Sequence, residues 1–154
     1  MSILITAAAT AYAYQIERLL SQTGELVFGD SGELPAVLLK SRKFMMIPDA
    51  KSPSFTHEFL KACLDQNVEM VLPLRRAELK ALSEARTLFE EYGIRLIVPA
   101  LPALEKYEMK SRPGTIYIKE QDGPEPGFTA LEKAGIYLLN NEGGDQSVAI
   151  FTVD

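Results

Sequence analysis

Hydrophobic and polar positions change period along this chain in a regular order. Residues 2–6 form a short apolar, β-branched run, as expected of a parallel strand buried on both faces. A helix is predicted next. Tyr12, Ile16, Leu19 and Leu20 recur at helical spacing, Glu17 and Arg18 take the opposite face, and Gly24 is placed to end the turn. Residues 25–28 read as a second strand running into Gly29, Asp30, Ser31 and Gly32, a turn-forming cluster. Residues 34–40 are short and mixed, with a brief helix as one option. A third apolar run, 44–47, is closed by Pro48. Ser52 followed by Pro53 then signals a helix start, a hydroxyl to cap free amides ahead of a residue with preset φ and no amide to satisfy. Phe55, Phe59, Leu60, Cys63 and Leu64 predict its buried stripe, with Glu58, Lys61 and Asp65 facing water. Residues 70–72 give a fourth strand. One long helix is predicted over 75–92, with Leu79, Leu82, Ala85, Leu88, Phe89 and Tyr92 on its inner face and Gly93 as its stop; 94–98, closed by Pro99, is the fifth strand.

This alternation predicts an α/β fold over residues 1–100, a Rossmann-like doubly wound parallel sheet covered by helices on both faces. A ligand on such a sheet sits beyond the carboxyl ends of the strands, here near Thr6, Asp30, Pro48, residues 73–76 and Pro99. Residues 101–154 differ in kind and are expected to form a small β-rich extension. They read as a helix at 103–110, an alternating strand at 115–119, a Pro- and Gly-rich loop at 121–127, a helical turn or two at 128–133, and strands at 136–139 and 147–153. The last two are joined across Gly143 and Gly144 as an antiparallel hairpin. An exposed hairpin edge has to be paired or protected, which makes a homodimer one expected assembly.

Composition narrows the classes. The 154 residues are 47% hydrophobic and 24% charged, average for a soluble globular domain and sufficient for one sizeable core. Sixteen Lys and Arg against 21 Asp and Glu leave a net charge of −5, which argues against nucleic acid and against anionic membranes as partners. A single cysteine, Cys63, forbids an intrachain disulfide and multi-cysteine metal sites, and a single histidine, His57, leaves little else for a transition metal; no metal site is expected. The most apolar stretch, 3–14, is too short to span a bilayer, is interrupted by Thr6 and Thr10, and has no basic residue ahead of it, so a cytoplasmic protein is expected.

Candidate chemistry gathers at the predicted strand ends. The first loop, 6–11, reads Thr-Ala-Ala-Ala-Thr-Ala. It keeps small residues but lacks the glycines that let backbone amides approach a pyrophosphate, so it is either a purely structural turn or an atypical dinucleotide loop with Asp30 in the ribose-binding place. Arg75 and Arg76 lie at the amino end of a helix, where a phosphate, a carboxylate or a nucleotide edge could bind. The alternative is that they are solvated, or that one pairs with Glu78 or Glu69. His57 reads as a surface residue and Cys63 as a small core residue. The acids are scattered, and no catalytic carboxylate pair emerges.

Five stretches in order carry a family resemblance: ILITAAATAYAYQIERLL (3–20), the strand end at 28–30, KFMMIP (43–48), VLPLRRAELKALSEARTLFEEYGIRLIVP (71–99) and ALEKYEMK (103–110). Within them stand the Pro-x-x-x-x-Glu-Leu pattern of Pro73, Glu78 and Leu79 and a Tyr-Gly-Ile-x-x-x-Val-Pro ending. The string resembles the N-terminal, pre-ATP-grasp domain of ATP-grasp ligases, especially of the carbamoyl-phosphate synthase large-subunit type. Past residue 110, the stretch 115–127 with Lys119, Asp122, Gly123 and Gly127 looks like the strand and glycine-rich loop that hold ATP phosphates, and 136–153 is similar to the adenine-side hairpin. Leu139 and Ala149 stand where the resemblance implies acids, and 154 residues end before the magnesium carboxylates it implies. The resemblance thus implies a truncated ATP-grasp tail and no ligase activity from this chain alone; ATP through Lys119 is the only cofactor it raises. The expected function is a non-catalytic binding or interaction module, working with a separately encoded ATP-grasp chain or as a homodimer. The alternative is an enzyme or sensor that binds a nucleotide or small acid through Thr6, Asp30, Arg75, Arg76 and Glu78.

Overall fold

The structure, a computed structural model, describes residues 1–20, 24–34, 42–124, 131–141 and 147–154. β1 (Ser2–Ile5) is buried along its whole length, as its unbroken apolar run requires of a central strand. It pairs in parallel with β2 (Glu25–Asp30) on one side and β4 (Val68–Leu72) on the other. β3 (Lys43–Met46) and β5 (Arg95–Leu96) complete a five-stranded parallel sheet in the order β3-β2-β1-β4-β5. Strand order turns back at β1, so the crevice of a doubly wound fold opens beyond β1, β2 and β4.

The two faces of β1 separate the packing. Leu4 joins the cluster formed with Phe55, Phe59 and Cys63 of α2 (Phe55–Asp65), Leu79 and Leu82 of α3 (Arg76–Glu84), and Phe89 of α4 (Arg86–Glu91). Ile3 and Ile5 join Ala13 and Ile16 of α1 (Ala11–Leu19). The predicted stripes on α1 and α2 are therefore the buried ones, although Leu19 and Leu64 end up exposed.

Three expectations need correction. The helix expected over 75–92 is two helices, because Ala85 leaves helical geometry at φ −96° and ψ 7°. Its N–H donates to the carbonyls of Ala81 and Leu82, and its own carbonyl then starts α4 by accepting from Phe89. Apolar spacing is kept across the break, so periodicity alone does not register it. The helix expected at 103–110 is α5 (Leu101–Lys106), followed by a two-residue strand, β6 (Met109–Lys110). The Glu108 and Lys110 carbonyls accept from the amides of Ile150 and Thr152, distant partners that no local pattern announces. Residues 131–133 are not helical, and 128–130 lie outside the described residues, as do 35–40.

The extension is a second sheet. β6, β7 (Thr115–Lys119), β8 (Gly135–Asn140) and β9 (Ser147–Phe151) lie in the order β6-β9-β8-β7, with β8 antiparallel to both β7 and β9, as the predicted hairpin requires. This sheet shares the core of the first. Ile136, Leu138, Ala149 and Phe151 pack in the cluster that holds Ile3 and Ile5, and the Phe151 ring meets Tyr12 of α1 edge to face at 5.3 Å.

One exposed position is open to improvement. Asn67, just after α2, holds φ +55° while its N–H donates to the Leu64 carbonyl. Glycine enters this left-handed region without a Cβ penalty. Asn67→Gly should stabilise the protein by about 0.5 kcal/mol after the extra unfolded-chain entropy of glycine is subtracted, measurable as a raised urea midpoint at unchanged slope.

Candidate functional site

The turn after β1 is built around Ala7, a buried non-glycine residue at φ +56°. Its neighbours face β2: the Ala8 N–H donates to the Gly29 carbonyl at 3.1 Å, and the Ala9 N–H to Asp30 Oδ2 at 3.0 Å. The amides that a pyrophosphate would need are thus engaged by β2 itself, which is how the loop dispenses with the glycine fingerprint.

Asp30 ends β2 with only 5% of its surface exposed. Its carboxylate accepts from the Ala9 and Ser31 amides, and Arg75 Nη2 donates to both of its oxygens, at 3.2 and 3.0 Å. Arg75 is 31% exposed along its side chain, so this is a half-buried ion pair. Its Nε and Nη1 have no protein partner among the described residues.

Glu78, in the first turn of α3, is 2% exposed. The Thr6 hydroxyl donates to its Oε1 at 2.6 Å while accepting the Leu74 amide at 2.8 Å, and the Arg75 N–H donates to the same Oε1 at 3.3 Å. Burial raises the Glu78 carboxyl to about 7, against the lowering effects of the Thr6 and Arg75 bonds and the Arg75 charge. The Thr6–Glu78 link spans 72 residues and ties the end of β1 to the start of α3.

A cleft of about 400 Å³ lies over this cluster, bounded by Ala9, Asp30, Lys51, Arg75, Glu78 and Asp154, among others. A neighbouring cavity of about 360 Å³ shares Asp30 and runs along Phe44, Met45 and Met46. Thr6, Asp30, Arg75 and Glu78 are therefore brought together as one hydrogen-bonded group. Arg76 is turned away. Its N–H donates to Asp154 Oδ1 at 2.9 Å, its Nε to the Asp154 carbonyl, and its Nη2 to the Met109 carbonyl at 2.6 Å. The amino end of α3 thus takes its cap from a residue 78 positions later. Lys119, on β7, is buried at 7% and is not among the cleft residues. Lys51 and Asp154 escaped sequence reasoning: Lys51 follows the flagged strand end at Pro48, whereas Asp154 arrives only through the packing of the second sheet.

His57 is exposed in the first turn of α2, and Cys63 is buried, its thiol pushed up to about 12 by burial, which makes it inert at neutral pH. Among the described residues no group of three His, Cys, Asp or Glu side chains could share a metal ion, and no helix is long and apolar enough to cross a membrane. A comparison with curated proteins finds no match. Residues 3–97 match the family model described as PylC-like, N-terminal domain, a stretch that runs from β1 through β5 and holds Thr6, Asp30, Arg75 and Glu78. A parallel sheet of this topology, matched over more than half of the chain, places the protein in the PylC-like N-terminal domain family, a pre-ATP-grasp-type domain.

Proposed function

We propose that this chain is a non-catalytic relative of ATP-grasp ligases of the carbamoyl-phosphate synthase type. It acts as a binding module whose cleft holds a small acid, and the phosphoryl chemistry belongs to a separate ATP-holding chain. The observation that carries this function is the environment of the two positions where the family resemblance implies acids. Leu139 packs half-buried against one core cluster and Ala149, 5% exposed, sits inside the other, so both are parts of an apolar interior. A carboxylate introduced at Ala149 would be desolvated without a partner, at a cost of several kcal/mol on the order set by charge burial.

The test is direct. Magnesium-dependent ADP release with bicarbonate, carbamate or amino-acid acceptors should stay at background; release well above background overturns the proposal. A thermal-shift panel of small acids should contain a stabilising member. A ligand present at about 100 times its Kd adds about 2.7 kcal/mol, and Arg75→Ala should abolish that shift. A second function, an enzyme or sensor for a nucleotide or small acid at the same cleft, is favoured by the Nε and Nη1 donors of Arg75 that Asp30 does not take and differs from the first in showing turnover or a ligand-driven change in a partner.

A further inference from the structure

The two oxygens of Glu78 are not equivalent. Oε1 already accepts from Thr6 and from the Arg75 amide, and the Thr6 hydroxyl proton is directed there because its oxygen takes the Leu74 N–H. Oε2 has no partner among the described residues, and none of these residues leaves a side-chain oxygen both enclosed and unpaired, so it opens on the cleft that Glu78 lines. A proton on this carboxyl therefore resides on Oε2. Glu78, with this O–H donor, and Arg75, whose Nε and Nη1 are not taken by Asp30, both line this cleft.

We propose that the cleft binds a small carboxylate together with one proton, the proton held on Glu78 Oε2 and the ligand's oxygens shared between that O–H and Arg75. This rests on the binding function proposed above and goes further in fixing the ligand's chemistry and its coupling to pH. A carboxylate oxygen can accept a charge-assisted bond from an Arg75 N–H that Asp30 does not take. The charges facing the site from the packed elements nearly cancel. Asp30 of β2 is paired with Arg75, the Asp154 carboxylate beyond β9 accepts the Arg76 backbone N–H while the Arg76 guanidinium donates to the Asp154 carbonyl, and Asp49 and Lys51 both stand on the β3–α2 loop. The neutral form of Glu78 is the form that accommodates a second carboxylate; the ionised form repels it. The buried carboxyl titrates at about 7, inside the physiological range.

Succinate serves as the probe, titrated calorimetrically into the full chain in two buffers of different ionisation heat. Uptake approaching about one proton at pH 8 is expected, with affinity falling about tenfold per pH unit above pH 7. Glu78→Gln keeps a donor at this position and should bind succinate without proton uptake and with a flat pH profile, while Arg75→Lys should weaken binding at every pH; a thermal melt of each variant establishes that it is folded. Succinate binding without proton uptake, uptake that survives in the Gln variant, or binding of inorganic phosphate in place of succinate overturns the carboxylate–proton site. Those outcomes leave the non-catalytic binding function standing, whereas ATP turnover removes that function and leaves a measured proton uptake untouched.

Discussion

Replacing Asp30 by alanine should cost about 3 kcal/mol of stability, read from urea unfolding at pH 7. The carboxylate is buried and holds two backbone amides and both bonds from Arg75 Nη2. Removing one partner of a buried ion pair costs 3–5 kcal/mol because the other charge is left without compensation; the partial exposure of Arg75 puts this case at the low end, at about 3 kcal/mol. The Ala9 amide is freed at the same time, and with it the tie between the first turn and β2. Asp30→Asn keeps an acceptor for Ala9 while losing the charge, so its loss should be roughly half as large. Equal losses for the two variants would show that the ion pair contributes nothing beyond the amide bonds.

The second large effect is a pH dependence centred on Glu78. Its carboxyl titrates at about 7 in the folded protein and from the ordinary value of 4.5 in the unfolded chain, with desolvation as the main cause. The native state therefore binds the extra proton. The stabilisation is fully present below pH 4.5 and disappears as pH rises through 7. The displacement corresponds to about 3 kcal/mol across that window. Glu78→Gln preserves the acceptor for Thr6 and the Arg75 amide but cannot ionise. Its stability relative to the natural protein should rise by about 3 kcal/mol between pH 4.5 and pH 8.5, followed by chemical denaturation at both ends. A difference that is constant over this range would contradict the assignment of the titration to Glu78.

Much of this arrangement was legible in the residues. The unbroken apolar run of β1, the stripe of Phe55, Phe59 and Cys63, and the placement of Thr6, Asp30 and residues 73–76 at strand ends follow from periodicity and from the crevice rule for doubly wound sheets. The pairing of Arg75 with Asp30 was not legible, since two adjacent arginines stand at the amino end of α3 and their separate fates depend on what approaches from outside. Asp154 engages Arg76 where Val153 donates its amide to the Leu74 carbonyl, a contact between the segments that follow β9 and β4 which no local signal encodes. The same limit explains β6. Local spacing suggested helix through residue 110, and the bonds to Ile150 and Thr152 prevailed. At Ala7, by contrast, the missing glycine was visible, but its structural substitute, a left-handed alanine whose neighbours bond to β2, was not.

The central place of β1 has a consequence for how the chain is made. One of its flanking strands begins at Val68, and the face holding Ile3 and Ile5 is closed partly by Ile136, Leu138, Ala149 and Phe151. During synthesis β1 therefore emerges before β4 and before the second sheet, and its apolar side chains wait for partners that are translated later. Order of translation and order of burial thus differ for this strand, which leaves apolar surface open on the nascent chain until those later segments arrive.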